Sequence, residues 1–269
     1  MKATKGQMRS GFTLVELLVV ISIIVVLAGL AVPTAMKALA KAEQVTGINN
    51  VKGIKSALDL FASDFDGEYP SDSTAEEIME ISDDNVGGSS SRGGASRLNP
   101  SRGLDSSHDL GARGSRGGRG GASSDKPSNY YFTQLMGHGL DNEELFYLKS
   151  FKKAFILKKP NNDKQIDQGE NVWGYTKNLQ QTSSSHIPIV FDSPISTGDS
   201  PKFSKKVWDG KIIVAKLDSS TRTEMIAGSD KASGPVTGRV DGDRMNLFSQ
   251  EALEEGQLTV ADLKRLGGN

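Results

Sequence analysis

A nearly continuous apolar run fills residues 12–32, close to the start of the chain. Only Thr13, Glu16 and Ser22 bring polar side chains into these 21 residues. A helix of that length is roughly 31 Å long, which is enough to cross the hydrocarbon core of a bilayer. The run therefore predicts one membrane-spanning helix.

Beyond this run the hydrophobic residues recur every three or four positions and the residues between them are polar. This spacing predicts an amphipathic helix with one buried stripe, formed by Val45, Ile48, Val51, Ile54, Leu58, Phe61 and Phe65. The two halves, residues 12–33 and 34–66, would form one helix ~80 Å long. Because proline removes a backbone hydrogen bond, Pro33 predicts a kink or local melting. A free-standing coiled coil is the alternative, but the spacing drifts from a heptad and favours packing on a globular head.

The remaining periodic segments are short and predict a small mixed domain. Residues 67–86 are interpreted as a loop and a short helix, over residues 73–81, capped by Ser73 or Thr74. Residues 126–250 are interpreted as the head, with two short helices followed by strands at 172–176, 187–191 and 211–217 and a hairpin return at 221–226. Residues 251–269 form a tail that is possibly helical. The pattern predicts an α+β fold in which a long N-terminal helix packs on a small antiparallel sheet.

One segment, residues 87–125, departs sharply from the rest in composition. Within residues 87–123 there are 11 Gly, 9 Ser and 6 Arg, with Arg-Gly-Gly at 92–94, 116–118 and 119–121. Its arginines exceed its two aspartates for a net charge of +4. So little apolar surface predicts a disordered insertion. Such tracts also occur in RNA-binding tails, but aromatic residues that would stack on bases are absent here, so nucleic acid is an unlikely partner.

The glutamate inside the apolar run needs an explanation, because a charged residue in a membrane span is costly and is commonly functional. Upstream of it lie a basic leader with Lys2, Lys5 and Arg9, and then the junction Gly11-Phe12. This string, RSGFTLVEL, closely resembles the processing site of type IV pilins and type II secretion pseudopilins.

The resemblance implies that residues 1–11 are a leader, removed by prepilin peptidase between Gly11 and Phe12, and that Phe12 is then N-methylated. It also implies that Glu16, fifth in the mature chain, pairs with the α-amine of Phe12 in a neighbouring subunit. Pro33 falls where such proteins loosen the helix. An ordinary signal peptide or a plain signal anchor would also have a basic start and an apolar core, but neither explains Glu16 or the Gly-Phe junction.

Candidate catalytic and metal-binding chemistry is sparse in this sequence. Cysteine is absent, which excludes disulfides, thiol nucleophiles and Cys-based zinc sites. His108, His138 and His186 belong to no recognisable catalytic motif, so we expect no enzyme, no catalytic residue, no metal and no cofactor. The carboxylates of residues 64–68 suggest calcium, but the later ligands of an EF-hand are missing, and a solvated helix end explains them better.

Three function classes are compatible with these features. The resemblance favours a structural subunit of a type II secretion pseudopilus, which polymerises from the inner membrane with other pilin-like subunits and an inner-membrane assembly platform. It implies a cytoplasmic leader, a single pass through membrane lipid and a periplasmic head. The alternative is a type IV pilus or competence minor pilin that binds DNA or a surface. A membrane-anchored domain of unrelated function is the third class.

Overall fold

The computed structural model describes residues 12–84, 126–196, 200–240, 242–254 and 256–265. The leader and the Gly/Ser/Arg-rich insertion that the sequence predicts lie outside these residues. The chain divides into two compact units, Met1–Glu43 and Gln44–Asn269. We call the second unit the head.

A single α-helix, α1, spans Leu14–Asp64 and passes through both units. In the first unit its large apolar side chains are all exposed, as far as Met36 and Leu39. Helical structure continues through Pro33 without interruption, so no local melting occurs in the single chain. The kink at this residue stays a prediction.

Within the head, α1 buries one stripe of side chains, as the spacing predicts. Val51, Ile54, Leu58 and Phe61 are fully buried. The helix ends at Asp64, two residues before the predicted boundary at residue 66. Gly67 N–H donates to the Ala62 carbonyl at 2.7 Å, which is the long bond of a Schellman motif. Asp66 (φ 47°) takes the left-handed position and Gly67 (φ 87°) follows it. Aspartate tolerates this conformation better than most residues.

Short helices follow α1. They are α2 (Asp72–Asp84), α3 (Ser128–Met136), and two 3₁₀ helices at Glu143–Phe146 and Lys149–Lys153. The predicted cap of α2 at Ser73 or Thr74 is wrong. Ser71 caps this helix instead, because its Oγ accepts from Thr74 N–H at 3.2 Å while the Thr74 hydroxyl accepts from Ser71 N–H at 2.8 Å.

Five strands form the main sheet, which is antiparallel throughout and has the order β10-β2-β3-β5-β6. The four strands predicted from the sequence are confirmed to within about one residue. Three two-stranded ladders, β1–β11, β4–β7 and β8–β9, complete the head. The strands are β1 (Phe155–Ile156), β2 (Trp173–Lys177), β3 (Pro188–Asp192), β4 (Phe203–Ser204), β5 (Lys211–Lys216), β6 (Thr221–Met225), β7 (Ser233–Gly234), β8 (Thr237–Val240), β9 (Asp243–Asn246), β10 (Gln257–Thr259) and β11 (Lys264–Arg265).

The main sheet is covered on both faces. Trp173, Tyr175 and Ile213 belong to the hydrophobic cluster that contains the buried stripe of α1. Alternate residues of the same strands, such as Phe191 and Val214, belong to a second cluster with the C-terminal segments. The predicted α+β arrangement of a long helix on a small antiparallel sheet is therefore confirmed, with a second layer that the sequence pattern does not reveal.

The helical interpretation of the C-terminal tail is wrong for most of its length. Among the described residues of the tail, helical structure is confined to α4 (Gln250–Leu253), and the chain then adds β10 to the edge of the main sheet and β11 to β1. The leucines of this tail are only loosely periodic. Pairing the backbone with β2 satisfies its hydrogen-bonding groups and places Leu258 opposite Thr176.

Candidate functional site

The first turn of α1 brings Thr13 and Glu16 together. Glu16 N–H donates to the Thr13 hydroxyl oxygen at 3.2 Å, and Glu16 Oε2 accepts from Thr13 N–H at 2.9 Å. The Thr13 hydroxyl also donates to Glu16 Oε2 at 2.8 Å. This reciprocal arrangement is a capping box, with Thr13 as the N-cap and Glu16 three residues later.

The capping box gives Glu16 a local role that we did not predict, although the spacing Thr-x-x-Glu was visible in the sequence. It satisfies donors that the start of a helix leaves open, and it places a negative charge at the positive end of the helix dipole. The same contacts hold the carboxylate on Thr13, the residue that follows Phe12, and Phe12 itself is 71% exposed. Gly11 lies outside the described residues, so the geometry of the Gly11-Phe12 junction is not part of this picture.

The polar side chains further along the apolar run are satisfied within the helix itself. The Ser22 hydroxyl donates to the Leu18 carbonyl at 2.8 Å, and the Thr34 hydroxyl donates to the Ala31 carbonyl at 2.8 Å. Such bonds reduce the cost of a hydroxyl in an apolar medium. Glu16 differs from both, because it is charged.

Length and composition make α1 able to cross a membrane. Its most apolar 18-residue window has a mean hydropathy of 2.9, and none of that window is buried against the rest of the protein. A soluble core helix of similar composition would be mostly buried, so the exposed run fits a lipid or protein environment outside the single chain.

Glu68, the last carboxylate beyond the far end of α1, has structural partners. Glu68 Oε1 accepts from the Ser71 and Ser73 hydroxyls at 2.5 and 2.6 Å. Over the described ranges, no three histidine or acidic side chains converge as a metal site would require.

The two described histidines also have structural contacts. His138 packs edge-on against Phe61 and Phe65, with ring centroids 5.2 and 5.1 Å away. His186 Nε2 lies 3.2 Å from the Ala252 carbonyl oxygen. His108 lies outside the described residues.

The comparisons with known proteins concern this N-terminal segment. Residues 7–32 match the family model of the prokaryotic N-terminal methylation motif, which includes the Gly11-Phe12 junction and Glu16. The chain thus carries a prepilin-type N-terminal motif, and the resemblance drawn from its residues is confirmed.

Among the relatives, type II secretion system core protein G of Pectobacterium carotovorum subsp. carotovorum is 41% identical over 66 residues, which are 24% of this chain and 42% of that protein. The core protein G of Escherichia coli (strain K12) is 41% identical over 70 residues, 26% of this chain and 46% of that protein. Fimbrial protein EcpC of Eikenella corrodens is 38% identical over 69 residues, 26% and 44% of the two chains. The chain thus spans less than half the length of these relatives. No solved structure gives a significant match.

Proposed function

We propose that this chain is a structural subunit of a type II secretion pseudopilus. In this proposal it is cleaved after Gly11, N-methylated on Phe12 and polymerised from the inner membrane to drive protein secretion. The observation that carries the proposal is the motif match over residues 7–32, with the junction and the glutamate both in place. Relatives named as type II secretion core proteins support secretion as the setting. The role is structural rather than catalytic.

The chemistry of the first turn supports assembly through Glu16. A carboxylate exposed to lipid is unfavourable, and a cationic amine on a neighbouring subunit offsets the desolvation of both charges. The capping box holds Glu16 near the mature N-terminus, where the α-amine of Phe12 would be created by cleavage. One subunit would thus present its amine and its carboxylate within one helical turn, which suits repeated head-to-tail pairing along a stack of helices.

A type IV pilus or competence minor pilin is the second candidate. The similarity to a fimbrial protein favours it, since that relative covers as much of this chain as the secretion proteins do. In either setting we propose pilin-like partners, processing by prepilin peptidase, a cytoplasmic leader and a head outside the cytoplasm. Salt-dependent DNA binding by the intact protein would favour the competence candidate.

Processing can be tested by mass spectrometry of the protein expressed with and without a prepilin peptidase. We expect the mature chain to begin at Phe12 and to carry one additional methyl group on its amine. An intact Met1 terminus in the presence of the peptidase, or cleavage after the apolar run, would contradict the proposal.

Assembly can be tested with matched variants in the same helix. Glu16→Gln removes the charge at nearly constant shape, whereas Ser22→Ala removes a hydroxyl that bonds only its own backbone within the described residues. Because the natural chain has no cysteine, introduced cysteine pairs report subunit contacts without background crosslinks. We expect Glu16→Gln to be processed normally but to lose the crosslinked ladder, and Ser22→Ala to keep it. Normal assembly of Glu16→Gln would instead support the third class, an anchored domain of unrelated function.

A further inference from the structure

Six cationic side chains project into solvent from one region of the head, which we call the basic patch: Lys149, Lys152, Lys153, Lys159, Lys264 and Arg265. Three of them lie on the second 3₁₀ helix, one follows β1, and two lie on β11, which pairs with β1. Over the described ranges no carboxylate oxygen lies within 4.0 Å of any of these nitrogens. The patch therefore carries uncompensated positive charge.

An exposed apolar side chain lies among these cations. Ile156 is 54% exposed and is the direct cross-strand partner of Lys264, so both side chains lie on the same side of the small ladder. The nearby Lys158 is already paired, at 2.8 Å with Asp167 and 3.0 Å with Glu170, and those carboxylates leave the patch unneutralised. Cations around an exposed apolar residue are typical of surfaces that rest on anionic lipid.

The packing of the head places this patch at one particular end. Leu148 directly precedes the 3₁₀ helix, and a Cβ built on Gly47 would lie 2.9 Å from its Cδ1 and 3.6 Å from the Trp173 ring. Phe151 of the same helix packs on Trp173, with ring centroids 6.0 Å apart. Gly47 lies close to Gln44, the first residue of the head. These contacts hold the patch on the core of the head, next to the first residues of the head.

We propose that the basic patch binds the anionic phospholipid headgroups of the membrane in which α1 is anchored. The inference rests on the membrane anchoring proposed above, and it concerns the subunit before assembly. Positive charge and an exposed apolar residue both favour a lipid surface. A second copy of the chain would need a complementary acidic surface in the right register, and the experiment separates that outcome.

The test measures lysine reactivity in the full-length protein, reconstituted in vesicles of phosphatidylcholine alone or with one-third phosphatidylglycerol. After brief acetylation, mass spectrometry reports each lysine separately. We expect Lys152 and Lys153 to react roughly fivefold more slowly with phosphatidylglycerol present, the equivalent of about 1 kcal/mol per cation near an anionic surface. High salt should abolish the difference. Lys206 and Lys231, exposed elsewhere on the head, should react equally in both vesicles.

Charge-reversed variants sharpen the result. Lys152→Glu with Lys153→Glu should remove the lipid-dependent protection of Lys149, whereas Lys206→Glu with Lys231→Glu should preserve it. Tryptophan fluorescence checks that both variants fold. Equal reactivity of the patch in both vesicle types would overturn the proposal. Protection that grows with protein concentration in neutral vesicles would overturn it too, by assigning the patch to a second copy. Processing at Phe12 and crosslinking through the apolar helix, measured on the same samples, report the proposed function independently.

Discussion

Gly174, in the middle of β2, is a position where the packing of the head leaves no room for added volume. A Cβ at this position would lie 2.3 Å from Cε2 of Phe191, its direct cross-strand partner. The Phe191 ring is fully buried and is held by Phe248, 4.7 Å away between ring centroids, and by Phe203, 6.4 Å away. The ring therefore has little room to move away from a new methyl group.

The expected cost of Gly174→Ala follows from two opposing contributions. Replacing glycine by alanine within a strand stabilises by about 0.5–1 kcal/mol, because the unfolded chain loses conformational freedom. Forcing a methyl group into a filled core costs about 1–3 kcal/mol. The second contribution should dominate at this contact distance. We expect Gly174→Ala to lower the free energy of unfolding by about 1–2 kcal/mol.

The assay is urea denaturation of the full-length protein in detergent, followed by the fluorescence of Trp173, which is buried beside the substitution. With a typical slope of about 1–3 kcal/mol per molar urea, the midpoint should fall by roughly 0.5–1 M. Gly53→Ala is the control, since its Cβ would lie 3.5 Å from Leu145, an ordinary contact, and alanine should raise helix stability by up to about 1 kcal/mol. The double variant Gly174→Ala with Phe191→Leu should lose less stability than the sum of the losses in the two single variants. An unchanged or higher midpoint for Gly174→Ala alone would refute this account of the sheet.

Three further predictions concern buried groups of the head. Burial raises the pKa of the Asp192 carboxyl well above its usual range. In the unfolded chain this carboxyl has a pKa of about 3.9, so above that pH the folded protein keeps a proton that the unfolded chain loses. The contribution of Asp192 to stability is therefore present below about pH 4 and is lost as the pH rises. We expect the free energy of unfolding of Asp192→Asn, relative to that of the natural protein, to increase from pH 4 to pH 7. Parallel stability curves for the two proteins would contradict this. Tyr175→Phe should cost about 1–3 kcal/mol in urea denaturation, because the buried hydroxyl donates to the Pro70 carbonyl at 2.8 Å. Gly234→Ala should cost about 3 kcal/mol or more, since its Cβ would lie 1.9 Å from the Ala227 carbonyl oxygen; a midpoint close to that of the natural protein would argue against this.

The elements that the sequence predicts well are those whose pattern arises locally. The stripe from Val51 to Phe61 follows the helical period, and the strand at Lys211–Lys216 is a short β-branched run between turn residues. The turn before that strand is local too, with left-handed residues at Asp209 (φ 54°) and Gly210 (φ 79°). These features depend on neighbours in sequence, so they can be predicted without knowing the tertiary structure.

The features that the sequence interpretation missed depend on distant contacts. Gly47 and Gly53 look alike as helix-weakening glycines, but a Cβ on Gly47 would lie 2.7 Å from Ile213 while one on Gly53 would make only ordinary contacts. The first is a close approach between helix and sheet. The C-terminal tail likewise pairs with β2, some 80 residues earlier, and no local periodicity encodes that pairing.

The candidate site at the start of α1 combines both situations. Gly11, Phe12 and Glu16 could be found from their order alone, because processing motifs and helix-capping motifs are both short stretches of local sequence. The capping box lowers the energetic cost expected for the Glu16 carboxylate in the apolar run. A Glu16 carboxylate that already accepts two hydrogen bonds from Thr13 is less unfavourable in an unassembled subunit than a bare carboxylate would be. If pairing with a neighbour's amine replaces these bonds rather than adding to them, subunit association gains correspondingly less. In the proposed pseudopilus, each pairing would then stabilise association only moderately.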